Sequence, residues 1–149
     1  MYDTSKEVAQ LLREMADGLE EDRPVAVMLA DQSIVIPADA NLKVEYEQAA
    51  GASEVIIRAT WAIPVLILTH SENVLDSNGN LYSVLVYGKP RIDGTWEGWL
   101  EFVPASAGLS ILRTERETTQ PDRHALEYWA SGLESLYFTG AFERAALLD

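Results

Sequence analysis

Few side chains here can do acid–base or metal chemistry: the chain holds two histidines and no cysteine. His70, followed by Ser71 and Glu72 and then by Asp76, offers one imidazole nitrogen and two carboxylates, donors that a divalent cation accepts. Their spacing matches no closed site, and a loop histidine beside acids is ordinary in an acidic chain, so no metal is assigned. Asp76-Ser77-Asn78-Gly79-Asn80 begins like a calcium loop. It lacks the glycine after the third ligand and the closing bidentate glutamate, and a hairpin turn built on Asn78-Gly79 accounts for it. Paired carboxylates such as Glu97 and Glu101 are the residue types of glycoside hydrolysis. Four apart on one strand, they stand about 13 Å from each other, too far for either geometry of that reaction. Serine-nucleophile signatures, phosphate-cradling glycine loops and dinucleotide fingerprints are absent. The reading is therefore of a non-enzymatic protein with no catalytic residue and no cofactor.

The segment with most chemical potential is Arg113-Thr114-Glu115-Arg116-Glu117-Thr118-Thr119-Gln120-Pro121-Asp122-Arg123-His124. Arg113, Arg116, Arg123 and His124 gather with the hydroxyls of Thr118 and Thr119 where a helix is predicted to begin. Helix amides and guanidinium groups together suit a phosphate, a carboxylate or an acidic partner segment. The plainer account is that the arginines pair with Glu115, Glu117 and the acids of the first helix while Thr119 caps.

These residues depend on the elements that carry them, and the firmest element is Gly94-Thr95-Trp96-Glu97-Gly98-Trp99-Leu100-Glu101-Phe102-Val103. Apolar and acidic residues alternate at period two after Asp93-Gly94, which predicts the second strand of a hairpin. Trp96, Leu100 and Phe102 share its core face. Trp99 lies on the other face with Glu97 and Glu101, and is expected to pack under the carboxy-terminal helices or to mark a homodimer interface.

The 149 residues carry a formal net charge of −13 and are 48% hydrophobic. That composition belongs to a globular chain long enough for a real core. The acidity argues against nucleic acid and anionic membranes as partners. Occupation of a basic surface on a nucleic-acid-binding protein is a third, weaker reading of the charge. Without cysteine there is no disulfide and no thiolate chemistry. No secretory signal is visible, and the most apolar run, 63–68, is far short of the ~20 residues that span a bilayer, so a cytoplasmic protein is expected.

In chain order, Thr4-Ser5-Lys6-Glu7 has capping-box spacing, and Val8, Leu11, Leu12, Met15, Ala16 and Leu19 follow at helical spacing. Acids at 20–22 and Pro24 end that helix near 19–21. Strands are predicted over 25–29, 33–36, 41–47 and 54–61, with 49–52 as a loop. Residues 65–68 suggest a short strand, and 81–87 and 109–113 further strands. A helix should follow Pro121, loosened or ended at Gly132, with a last turn or short helix near 136–145.

The helix Glu7-Val8-Ala9-Gln10-Leu11-Leu12-Arg13-Glu14-Met15-Ala16-Asp17-Gly18-Leu19-Glu20, the middle Ile34-Val35-Ile36-Pro37, the alternating strand after it and the strand ending in Trp61 resemble the amphi-Trp domain family over about residues 5–61. The resemblance implies a small helix-plus-sheet module of bacteria and archaea, and brings no catalytic residues. The family's last strand is usually more charged than Val55-Ile56-Ile57-Arg58-Ala59, which leads us to expect this strand to be covered by the second half. The carboxy-terminal part resembles no characterised family.

The expected architecture is α+β: an amino-terminal helix, a mainly antiparallel sheet of about seven or eight strands, and a carboxy-terminal helix or helix pair. Residues 1–62 would form the helix-plus-meander module and 63–149 a hairpin with helices, packed together as one globular unit. The function expected is that of a bacterial interaction module that self-associates as a homodimer, with Trp99 and residues 113–124 as contacts. The alternative is a small anionic-ligand-binding protein or enzyme that uses the Arg/Thr-rich loop at the start of the carboxy-terminal helix.

Overall fold

The computed structural model describes residues 5–29 and 31–148. The chain divides into two compact units, Met1–Trp61 and Ala62–Asp149. The class is α+β, with nine strands among the described residues. They lie in three antiparallel sheets of two, two and five strands, not in one sheet of seven or eight.

In the first unit, helix α1 (Ser5–Glu20) is followed by β1 (Val25–Leu29), β2 (Gln32–Ile36), β3 (Asn41–Ala49) and β4 (Ala52–Thr60). Thr4 of the expected capping box lies outside the described residues. Helix α1 ends within the expected span, and there Asp22 adopts φ 52° and the Arg23 amide reaches back to the Gly18 carbonyl at 2.9 Å, closing the helix. Gly18 is the buried residue of α1, and a Cβ there would stand 2.1 Å from Cγ2 of Val25, so the helix approaches β1 through its glycine. Strands β1 and β2 pair Val25 with Ile36 and Val27 with Ile34.

Strands β3 and β4 form a separate ribbon joined by the two-residue turn Ala50-Gly51, with Gly51 at φ 83°. The strands thus run to the turn at both ends, and the loop expected over 49–52 shrinks to two residues. A glycine able to take positive φ makes that tight connection possible.

The second unit holds β5 (Val65–Leu75), β6 (Leu81–Pro90), β7 (Trp96–Pro104), β8 (Leu112–Arg113), β9 (Thr118–Gln120), α2 (Arg123–Ser131) and α3 (Ser135–Leu148). The sheet order is β5-β6-β7-β8, and β9 pairs with the same edge of β7 further along. Two turns of one design join the first three strands. In each, a glycine at positive φ sits fourth of five residues: Gly79 at 81° and Gly94 at 86°. The glycine amide bonds the carbonyl of the first residue, and the first amide bonds the carbonyl of the fifth, Asp76 to Asn80 at 3.0 Å and Arg91 to Thr95 at 2.7 Å.

Both helices lie on one face of this sheet. Tyr82, Val84, Val86, Leu100, Phe102 and Leu112 form the core there with Phe138, Ala141 and Ala145. Gly88 and Gly98, opposite each other on β6 and β7, make the floor beneath Leu126. A Cβ on either would come within 2.4 or 2.6 Å of that side chain. The bare backbone lets α2 sit closer to the sheet than any side chain would allow.

Candidate functional site

Trp99 is not under a helix. Its face of the sheet is opposite to the helices, and there it pairs with Tyr87, whose ring stacks at 6.4 Å with planes 15° apart. The Arg113 guanidinium lies 4.0 Å over the indole, and the indole N–H donates to Glu101 at 3.1 Å. Trp99 is only 1% exposed, with a cation over its ring and a phenol ring stacked beside it. Strand pairing explains it: Glu101 is opposite Arg113, so the arginine is delivered diagonally to Trp99.

Of the other expected contacts, the structure gathers only some. Thr118 and Thr119 belong to β9, not to a helix cap. The cap is Asp122, extended at φ −154°, whose carboxylate accepts the Ala125 amide at 2.8 Å. Asp122 stands directly before the helix with a charged acceptor, so it takes the position that a hydroxyl was expected to fill. Its carboxylate also occupies the place where an anion would bind. Arg123 pairs with Glu127 at 3.1 Å and lies 5.8 Å over the Trp96 ring. Arg123 thus takes a partner one turn along its own helix, and Arg113 lies over Trp99. Glu117 is held by Arg144 and accepts from the Tyr137 hydroxyl at 3.1 Å. Arg116 and His124 are exposed. The segment is thus an edge strand and a cap, with its cations spread along it.

His70, expected in a loop, is inside β5, which runs to Leu75. Register shifts after Leu66 and Thr69 break the period of two, so the long strand looks in sequence like a short strand and a loop. The imidazole packs 4.5 Å from the Phe138 ring, and Nε2 is buried without a hydrogen-bond partner among the described residues. Burial pushes its pKa below the ordinary value, opposed by a backbone bond to Ala130 and by Glu72. Asp76 is held below the usual carboxylate range by bonds from Asn80, Asn78 and Gly79, with the Asn80 amide at 2.8 Å. Its oxygens serve the turn. Among the described residues no group of three His, Asp or Glu side chains is placed to hold a metal ion.

A cleft of about 450 Å³ lies between the end of β5 and α3, with Phe138 and Phe142 as apolar lining. Its polar lining includes Glu72, Asp76, Glu143, Ser135 and Thr139. The Ser135 hydroxyl donates to Glu72. Three carboxylates make this cleft unsuited to the anionic ligand expected at the loop.

What sequence reading missed is the exposure of one side of the β3–β4 ribbon. Paired residues share a face, so Leu42 with Ala59, Val44 with Ile57 and Tyr46 with Val55 line one side. That side is open: Val44 is 69% exposed, Tyr46 63%, Val55 64% and Ile57 47%. The other side carries charge in like-sign rungs, Lys43 opposite Arg58 and Glu47 opposite Glu54. Glu45 neutralises the first, at 3.1 Å from Lys43 and 3.9 Å from Arg58. Alternation in 41–47 and the run Val55-Ile56-Ile57 signalled an amphipathic ribbon, but not that its apolar side would lack a cover.

Among the described residues no helix is long and apolar enough to cross a membrane. Compared with protein-family models, with curated proteins and with solved structures, the chain finds no match.

Proposed function

We propose that the protein is a non-enzymatic interaction module of the bacterial cytoplasm that self-associates, and that its contact surface is the β3–β4 ribbon. The observation that carries this reading is the exposed apolar side of the ribbon. Two strands alone are marginal in water, and a contiguous apolar face on a soluble chain marks an association site. The partly exposed Val8, Leu12 and Leu19 of α1 support an incompletely covered first unit. The family reading of residues 5–61, an amphi-Trp-like module, rests on the sequence motifs. Against the expectation that Trp99 makes the contact stands its burial under Arg113.

Size-exclusion chromatography with light scattering tests the reading on the full chain. The parent should exceed the 16.5 kDa of one chain, and Val44→Ser with Ile57→Ser should return it toward that mass. A parent that stays monomeric at high concentration contradicts the reading.

A further inference from the structure

The self-association just proposed leaves open how two copies meet, and resting on that reading, the charge rungs of the ribbon point to one arrangement. We propose that two copies join antiparallel along their β4 edges about a two-fold axis through Ile56, setting Arg58 of each copy opposite Glu54 of the partner subunit.

The ribbon alone is electrostatically unfavourable. Like charges directly opposite across two strands destabilise the pair, and the ribbon has two such rungs at its two ends, one positive and one negative. Glu45 relieves only the positive one. An antiparallel copy brings the positive rung of one ribbon beside the negative rung of the other. Each four-strand row then reads Lys43, Arg58, Glu54 of the partner subunit and Glu47 of the partner subunit.

Register selects Ile56 as the centre. A shift to Val55 sets Glu54 against Ile56 and Arg58 against Ala52, and a shift to Ile57 sets Arg58 against Ile56 and Glu54 against Thr60. Neither makes a charge pair. Joining along β3 is poorer as well. Centred on Glu45 it sets Lys43 against Glu47 of the partner subunit but also opposes two glutamates on the axis, a repulsion the Ile56 centre avoids, and centred on Val44 it relies on Glu45, already engaged by Lys43 and Arg58, while leaving Glu47 opposite Glu54 unrelieved.

The backbone agrees. The two-residue turn makes Ala49 and Ala52 the hydrogen-bonded closing pair, so counting along β4 turns the amides and carbonyls of Ser53, Val55, Ile57 and Ala59 to the free edge. In the proposed register Val55 meets Ile57 of the partner subunit as a hydrogen-bonded pair. Arg58 and Glu54 of the partner subunit then form a non-hydrogen-bonded pair, in which side chains stand closest. On the apolar side the seam covers Val55 and Ile57 by setting each beside the other of the partner subunit, while Val44 and Tyr46 on β3 lie away from it.

Charge reversal and cross-linking test this arrangement on the full chain. Glu54→Arg or Arg58→Glu alone should weaken association about tenfold, and both together should restore it. Since the chain has no cysteine, Ile56→Cys places one thiol on the axis, with Cα atoms about 4.5 Å apart and within disulfide reach. It should give a covalent dimer under mild oxidation, whereas Lys43→Cys on the far strand should not. Association that survives the single reversals, with no cross-link at 56, overturns this register and leaves self-association standing. A monomeric parent overturns both.

Discussion

The Thr114 hydroxyl replaces a main-chain bond at the sheet edge. Between β8 and β9 the edge strand is interrupted, and there the Leu100 amide donates to Thr114 Oγ1 at 3.0 Å while the Thr114 amide donates to the Leu100 carbonyl. Thr114 is 3% exposed, so Thr114→Val keeps the shape and strands a buried donor. We expect a loss of about 1–3 kcal/mol in urea unfolding, with Thr114→Ser close to the parent. His70 gives a pH signature. Its folded-state pKa lies below the value of the unfolded chain, so the folded state favours the neutral ring. Phe138 from α3, the Ala130 backbone from α2 and Glu72 from its own strand face it. The stability it contributes is whole above the ordinary histidine pKa of about 6.5 and declines as pH falls through the lowered folded value. Thermal melts from pH 8 to 5 should show that decline, and His70→Gln should flatten it. The sequence marked His70 as a residue of interest. It did not show that Phe138, far along the chain, would take its ring.

At the scale of elements, local signals were legible where local chemistry decides. Asp93-Gly94 and Asn78-Gly79 announced their turns because a positive φ is needed at one fixed place. The start of α2 was legible to within a few residues, but two hydroxyls and one carboxylate competed to cap it, and the carboxylate at Asp122 won. What periodicity could not give was the docking of α2. Gly88 and Gly98 interrupt strand patterns in a way that sequence cannot distinguish from weakness, and only the pairing of β6 with β7 turns them into a floor. Gly98→Ala should cost about 1–3 kcal/mol through its clash with Leu126. Paired with Leu126→Ala, whose own cost is about 2–5 kcal/mol, the sum should be less than additive in chemical denaturation, since one change makes room for the other.

For the whole molecule, the class follows from the sequence, and so does the order of elements apart from β9, read there as the start of a helix, while the division into three sheets does not. Each hairpin in the first unit pairs only within itself, and alternation looks the same whether a strand stands in a pair or in a sheet of seven. Nor could alternation show which apolar faces go uncovered, as at Val44 and Tyr46, or that Trp99 would be covered by Arg113. The account rests on the ribbon as the place where copies meet. Amide hydrogen exchange of the full chain at low and high protein concentration tests that most directly. Segment 52–60 should gain protection as concentration rises, and exchange there that is independent of concentration would contradict the account.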